Sequence, residues 1–236
     1  MIKKLVSFAV LLQDDFTGAD IPDDGFQFWL DSRRAAPIKK TEGFYVFVGV
    51  PGEEWILTVA GAHYSPRTVK FSKAFLNPAS PVMILRLFRR AGMYFSDCVE
   101  LCGNHRCGEM VFALGSDSPP LRLHALEAKG GAAQLTLMGY TPRPLLRHRF
   151  CLGLGKTREL FVITAKEKDG SYLCDQPFRY SHGEGEPILR AWGAVCDPQG
   201  RFSISIESEM KDSVETIEEY NEEVRQWGCS LQTVPN

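Results

Sequence analysis

The segment from Leu12 to Phe71 constrains the fold of this chain most, because it consists of short apolar runs separated by turn residues. An Asp-rich turn comes first, and three alternating runs follow it, interrupted by the Glu42-Gly43 and Pro51-Gly52 turns. Alternation of apolar and polar residues is typical of strands with one buried face. Glycine supplies the positive φ that tight hairpin turns require. The pattern predicts an antiparallel β-sandwich.

The remainder of the chain repeats this organisation. Pro78 and Pro81 interrupt regular structure, and short runs at strand-like spacing continue from Glu109 to Glu207. We place a domain boundary between Arg89 and Met93. The fold class that we expect is therefore all-β, with two antiparallel β-sandwich-like units at residues 1–90 and 91–236.

The C-terminal region has a different periodicity. Asp212 and Glu215 have the spacing of a helix capping box, and apolar residues follow at helical spacing, with glutamates on the opposite face. The sequence predicts one C-terminal amphipathic α-helix at about 212–227. Such a helix would pack on the second unit or dock on a neighbouring subunit. The apolar positions are Met210, Val214, Ile217, Val224 and Trp227.

Composition excludes some classes of partner. The formal net charge is -2 and the pI is near 6.2, so we expect no nucleic-acid partner. No apolar run reaches the roughly 18–20 residues that span a bilayer, so we expect no membrane partner. Gln13 and two aspartates directly follow the apolar N-terminal run, where a signal peptide would have small residues. We expect synthesis in the cytoplasm, with the final location left open.

A cysteine-rich segment is the strongest chemical lead. Cys98, Cys102, His105 and Cys107 lie within ten residues and could supply the four ligands of a tetrahedral zinc site. Their spacing departs from the paired C-x2-C of established zinc sites, and buried free cysteine is a small apolar residue. Free thiols are therefore preferred for the seven cysteines, and we expect no cofactor, with zinc as the alternative.

Aromatic residues of the first unit suggest a possible binding surface. Trp29, Trp55 and Tyr64 could form a platform for carbohydrate, although core packing is the commoner use of alternating aromatics. The histidines are scattered and no serine lies in a G-x-S-x-G motif, so no catalytic residues are assigned. The N-terminal aspartates are interpreted as a solvated turn.

The first unit also resembles a known family. Its turn, hairpin and closing tyrosine resemble those of the carboxypeptidase-regulatory-like or transthyretin-like β-sandwich. The residues that carry the resemblance are Asp15, Thr17, Gly18, Ile21, the segment Glu42-Gly43-Phe44-Tyr45-Val46-Phe47, and Tyr64. The match covers about residues 5–75. The resemblance implies a non-catalytic, Ig-like module used in folding support, adhesion, carbohydrate contact or assembly, and it supplies no catalytic residues.

These observations favour a non-enzymatic structural protein in a larger assembly, such as a phage-tail-like particle or a surface array. Its partners would be other protein subunits, bound through sheet edges or the C-terminal helix. A carbohydrate-binding or adhesion module is the alternative. A metal-assisted enzyme built on the cysteine-rich segment comes third.

Overall fold

The computed structural model describes residues 6–22, 25–93, 95–129, 132–221 and 226–231. Its backbone contacts divide the chain into two compact units. The first comprises the described residues up to Asp14 together with Ala19–Arg89. The second comprises Asp15–Gly18 together with the described residues from Arg90 onward.

The first unit contains, in its described residues, eight strands in two four-stranded sheets. These strands are β1 (Val6–Asp14), β2 (Gln27–Leu30), β3 (Arg33–Ala35), β4 (Ile38–Lys39), β5 (Phe44–Val48), β6 (Glu54–Ala60), β7 (Arg67–Ser72) and β8 (Val82–Leu87). The β1 sheet has the order β4-β5-β1-β8, and the β6 sheet has the order β3-β2-β6-β7. A 3-10 helix, Lys73–Phe75, follows β7. The expectation of wholly antiparallel pairing is wrong at one place, because β1 and β8 are parallel.

One hydrophobic cluster takes residues from both sheets of the first unit. Phe8 of β1 stacks on Phe47 of β5 with ring centroids 4.5 Å apart, and its ring also lies 5.1 Å from that of Trp55 on β6. Phe8 and Phe47 lie on adjacent strands, where inward side chains meet. The other buried members include Val10, Leu12, Phe28, Tyr45, Leu57, Val59, Leu85 and Leu87.

Six strands of the second unit, among its described residues, form a closed ring. The order is β11-β12-β15-β14-β13-β16, and β11 pairs back to β16. From β16 the sheet continues through β10, β18 and β19, while β9 and β17 form a separate pair. The strands are β9 (Val99–Asn104), β10 (Met110–Gly115), β11 (Leu121–Lys129), β12 (Ala132–Met138), β13 (Arg149–Leu152), β14 (Glu159–Lys166), β15 (Tyr172–Cys174), β16 (Pro187–Val195), β17 (Arg201–Ile206), β18 (Val214–Asn221) and β19 (Gln226–Ser230). Two 3-10 helices are Gly155–Thr157 and Ser208–Ser213.

The ring replaces the second sandwich-like unit that the sequence predicts. Strands on both sides of β11 pair with it, so this part of the sheet has no free edge. Its apolar residues form one cluster, which includes Leu123, Leu135, Phe150, Phe161 and Ile163. The all-β class is confirmed, and the described residues of the second unit do not show the predicted sandwich.

The predicted C-terminal helix at about 212–227 is also wrong over the described residues. Val214–Asn221 is strand β18, paired along β10, and the capping-box region lies in or beside a 3-10 helix. Tertiary pairing overrides helical periodicity here, and the β-branched Val214, Thr216 and Ile217 suit a strand. Glu218 is buried against Arg158 instead of facing water. Residues 222–225 lie outside the described residues.

Asp14 and Asp15 of the N-terminal segment are buried, and the prediction of a solvated turn is wrong for both. Tyr64 Oη and Arg89 Nε donate to Asp14 Oδ2 at 3.0 and 2.9 Å. Arg149 Nη2 donates to Asp15 Oδ1 at 2.7 Å. Asp15–Gly18 belongs to the second unit, although the family resemblance places these residues in the first.

Gly18 has a conformational reason to be glycine. Its φ is +68°, and an added Cβ would lie 2.5 Å from the carbonyl oxygen of Arg147. Both the left-handed backbone and the close approach exclude a larger residue. No helix in the described part of the chain combines the length and hydropathy of a membrane-spanning segment.

Candidate interaction surface

The outer side of the β1 sheet carries two apolar rows, and the next row is Gln13 opposite Arg86. Successive side chains of a strand point to opposite faces, and Phe8, Val10 and Leu12 of β1 point into the core. The residues between them therefore face outward, as do the alternate residues of β4, β5 and β8. We call this surface the outer apolar face, and it consists of Leu11, Ile38, Phe44, Val46, Val82 and Ile84.

Strand register makes this surface continuous. Ile38 is opposite Val46, and Val46 is opposite Ala9, which is opposite Val82 on the far side of β1. In the next row Phe44, Leu11 and Ile84 are opposite one another in the same way. With strands about 4.8 Å apart, four strands span about 15 Å. Ile38 and Ile84 are 52% and 55% exposed, so the rim of the face is open to solvent.

The outer side of the β6 sheet is polar by comparison. Thr58 and Thr68 are paired across β6 and β7, with their hydroxyl oxygens 2.9 Å apart. Lys70 Nζ lies 3.4 Å from Glu54 Oε2. Ile56, 45% exposed, is the counterpart of Ile84 on this face, but its neighbour across the strand is Lys70. A sheet with one solvated side normally has such a polar outer face, so the β1 sheet departs from the rule.

The edge strands of both sheets carry basic residues: Arg34 on β3, Lys39 on β4, Lys70 on β7 and Arg86 on β8. Charged edge strands resist the addition of another strand. The face is therefore a better contact surface than the edges. Contact with other subunits through sheet edges remains a prediction.

The proposed aromatic platform is not present as a surface. Trp55 is 2% exposed and Tyr64 is 8% exposed, because both side chains belong to the core of the first unit. Trp55 lies on the inward face of β6, and its indole N–H donates to the carbonyl of Pro51 at 2.9 Å. Trp29 is half-buried on the outer side of β2. The expectation of a shared binding surface is wrong for Trp55 and Tyr64.

The cysteine-rich segment lies around β9, and its candidate ligands contact other groups. Cys98 Sγ lies 3.8 Å from the carbonyl oxygen of Phe95, and Cys102 Sγ lies 3.8 Å from Ser203 Oγ. His105 Nε2 is 2.8 Å from Glu219 Oε2, and Cys107 is exposed. Across the described residues, no three His, Cys, Asp or Glu side chains are grouped as metal ligands. Zinc binding stays an untested prediction.

Buried thiols of the second unit are poor nucleophiles. Burial raises the pKa of Cys151 and of Cys174 from 9.0 to about 12. Burial likewise raises the pKa of Cys196 to about 11. These side chains remain thiols at neutral pH, and the thiolate is the reactive form. The side chain of Cys229 lies outside the described residues.

A buried imidazole between two carboxylates is the strongest polar cluster of the second unit. His182 Nδ1 is 2.8 Å from Glu186 Oε2, and His182 Nε2 is 3.2 Å from Glu159 Oε2. The backbone N–H groups of Arg179 and Tyr180 also donate to Glu159. Each ring nitrogen of His182 therefore lies within hydrogen-bonding distance of a different carboxylate. The cluster fastens the loop before β16 to the start of β14.

An open cleft of about 530 Å³ also lies in the second unit. Its polar groups already contact protein: Trp192 donates to Glu207, Arg190 forms an ion pair with Glu207, and Arg143 pairs with Asp117. These contacts hold the walls of the cleft together and leave Glu207 little capacity for a ligand. The lining residues are Phe16, Thr17, Asp97, Pro142, Arg143, Pro144, His148, Glu207 and Glu209.

Sequence reasoning did not identify the outer apolar face, although a signal was present. Phe44–Val48 is a run of five apolar residues, and Val82–Leu85 is a run of four. Continuous apolar runs are typical of strands covered on both sides. The His182 cluster left no comparable signal, because Glu159 is 23 residues away in the sequence.

Comparisons of the chain with protein-family models, with curated proteins and with solved structures find no match.

Proposed function

We propose that this chain is a non-enzymatic structural protein of a larger protein assembly, such as a phage-tail-like particle or a surface array, and that it docks there through the outer apolar face. The observation that carries this proposal is the pair of apolar rows on the solvent side of the β1 sheet. Apolar patches on a protein surface are typical of contact sites for other proteins.

The polar groups of the molecule fit the same function. The buried carboxylates of Asp14, Asp15 and Glu159 each bind side chains or backbone of their own unit. Such contacts hold segments in place, and the high pKa values of the buried thiols do not favour nucleophilic chemistry. The charged groups therefore support a scaffold role.

We further propose that the first unit is a β-sandwich of the carboxypeptidase-regulatory-like or transthyretin-like type. Two four-stranded sheets and one hydrophobic cluster drawn from both support this assignment. The hydrogen bond from Tyr64 to Asp14 gives that tyrosine a structural role. In such a module, function would depend on what its surfaces bind.

Photo-crosslinking from the two outer faces tests the docking proposal. A photoreactive amino acid replaces Ile84 on the β1 sheet or Ile56 on the β6 sheet in the full chain, expressed in its source organism. Both isoleucines are about half exposed, so the second position is a matched control. We expect a defined protein adduct from position 84 and none from position 56.

Lysine variants make the same test quantitative. Burying a lysine charge in an apolar interface weakens binding by at least about tenfold, because a shift of about 1.4 kcal/mol already has that effect. We expect Ile84→Lys to bind the partner at least about tenfold more weakly, and Ile56→Lys to bind it with unchanged affinity. Equal adducts from both positions, or full retention by Ile84→Lys with its fold intact, would overturn the proposal.

A further inference from the structure

We infer that the free edge of strand β9, in the second unit, binds an extended segment of another protein subunit as an added strand. In strand addition, backbone hydrogen bonds provide the affinity and alternate side chains provide the specificity. This contact is separate from the outer apolar face, which belongs to the first unit, so either contact can fail without the other.

The hydrogen-bond pattern of β9 follows from its register. β9 pairs with β17 along its whole length, Val99–Asn104, in an antiparallel arrangement without a register shift. At the next position the N–H of His105 donates to the carbonyl of Gly200 at 2.7 Å, so that pair is hydrogen-bonded. Hydrogen-bonded and non-hydrogen-bonded pairs alternate along an antiparallel ladder. The residues of β9 whose N–H and C=O groups point away from β17 are therefore Glu100, Cys102 and Asn104.

These outward backbone groups are unpaired within the described residues. No hydrogen bond joins the N–H or C=O of Glu100, Cys102 or Asn104 to another group there. A row of unpaired N–H and C=O groups at every second residue is a template for another strand. An extended backbone is therefore the ligand that this edge fits.

β9 differs from the other edge strands whose side chains the structure describes. On β17, the N–H and C=O of Arg201 bond to Asp197, both at 2.8 Å, and Ser203 and Ser205 are each 6% exposed. The edge strands of the first unit carry lysine or arginine, and such charges resist strand addition. β9 contains no lysine, arginine, proline or bulge, and its one charged residue is Glu100.

The side chains of β9 indicate the composition of the segment. Val99 and Leu101 are half-buried at the margin of a hydrophobic cluster that includes Phe202 and Ile204. Since residues opposite each other on neighbouring strands lie on the same face, apolar residues at alternate positions of the segment would cover them. Glu100, on the other face, forms no ion pair within the described residues. The segment is therefore amphipathic with the alternation of a strand, and it carries a cation on its polar face.

The size of the edge favours a linear segment over a second folded copy. The 6 residues of β9 are about 20 Å long, and a sheet layer is about 10 Å thick, which gives about 200 Å². A stable interface between folded proteins takes about 800 Å² from each partner. A cleft of about 310 Å³, lined by Gly92, Cys102 and Asn104 among others, leaves room for one side chain of the segment.

Peptides with methylated backbone nitrogens test strand addition on the full chain. The parent peptide, about seven residues long, alternates valine with threonine and has one lysine among the threonines. In antiparallel addition, the residues opposite Glu100, Cys102 and Asn104 turn their N–H groups toward β9. These are the threonine positions, so methylating them should weaken binding at least about tenfold, and methylating the valine positions should leave it unchanged. Fluorescence anisotropy measures each affinity.

A proline in β9 tests the edge itself. The N–H of Cys102 points away from β17, so Cys102→Pro removes an edge donor and keeps the hydrogen bonds to β17. Cys102→Ala keeps this N–H and is the matched control. We expect the parent peptide to bind Cys102→Pro at least about tenfold more weakly than the wild type, and to bind Cys102→Ala with unchanged affinity. Far-ultraviolet circular dichroism verifies the fold of both variants, and the methylated peptides test the wild-type chain without any substitution.

The charge of the segment has its own test. Replacing the lysine of the parent peptide by glutamate should weaken binding about two- to fivefold, because opposite charges attract across neighbouring strands. Glu100→Gln should remove this difference, and salt should reduce it. Equal affinities of the two peptides for the wild type would overturn the cationic face of the segment.

The possible failures are distinguishable. Equal affinities of the two methylated variants, or no binding of the parent peptide below about 1 mM, would overturn strand addition and leave the outer apolar face untouched. Binding that Ile84→Lys abolishes and Cys102→Pro leaves unchanged would place the peptide on the outer apolar face and also overturn strand addition. Dimerisation of the chain that Cys102→Pro prevents would replace the segment by a second copy. A loss confined to the valine variant would reverse the direction of the added strand and support the inference.

Discussion

The two units of this protein use polar and apolar side chains in different places. In the first unit, aromatic and aliphatic residues fill the core and also cover the outer side of the β1 sheet. In the second unit, charged side chains are buried: Glu159 with His182, and Arg190 with Glu207. The first unit has a buried pair as well, between Asp14 and Arg89, but it lies where the unit ends in sequence.

The two kinds of contact, apolar packing and buried ion pairs, stabilise a fold in different ways. Apolar packing is non-directional and responds little to pH, so it stabilises a sheet without fixing a particular loop. Buried ionic contacts are directional, and they fasten chosen loops at the cost of desolvation and sensitivity to pH. We therefore expect the first unit to present a surface and the second to hold its loops rigidly.

The largest effect on stability is expected from an alanine substitution on the core side of β5, compared with one on its outer side. Phe47 of β5 is 4% exposed in the core, and Phe44 of the same strand is half-buried on the outer apolar face. Phe47→Ala should lower the free energy of unfolding by about 3–5 kcal/mol, because it leaves a cavity. Phe44→Ala should cost about 1 kcal/mol or less. Urea denaturation measures both, and equal losses would mean that the outer face is part of a core.

A smaller loss of stability is expected when the buried cluster around His182 in the second unit is altered. Glu159→Gln places an amide donor against the N–H groups of Arg179 and Tyr180 and leaves His182 without one carboxylate. We expect a loss of about 2–4 kcal/mol. Glu184→Gln is the matched control, because Glu184 forms an exposed pair with His124, and it should change stability by less than about 0.5 kcal/mol. Thermal or urea unfolding that gives similar values for both would contradict the assigned role.

The smallest expected effect is the pH dependence of the contribution that Glu186 makes to stability. Burial acts to raise the pKa of this carboxyl, but hydrogen bonds from the Gly183 N–H and His182, with the charge of His182, outweigh it and lower the pKa. A lowered folded-state pKa means that the stabilisation is present above the unfolded value, 4.5, and is lost as the pH falls through the folded value. Glu186→Gln should therefore be less stable than the wild type near neutral pH and approach it in acid. A difference that does not change with pH would exclude this linkage.

Local sequence predicted much of the first unit and little of the contact network. The alternation from Lys4 to Gln13 predicts that Val6, Phe8, Val10 and Leu12 are buried. The last three are buried, and Val6 is 52% exposed. The glycine turns correctly separate β5 and β6. The same alternation leaves open whether Trp55 faces the core or the solvent, because a register shift of one residue exchanges the two sides. Asp14 and Asp15 have the composition of a turn, yet distant arginines bury them.

The sequence by itself determined that this is an all-β protein of short strands, since alternation and turn residues act within a few positions. Only the tertiary structure decided that six strands close into a ring, that Val214–Asn221 is a strand, and that two apolar rows meet on one outer face. Each of these depends on pairing between residues distant in sequence. A hydrogen-bonding partner on a neighbouring strand outweighs local propensity, and one-dimensional periodicity does not encode that partner.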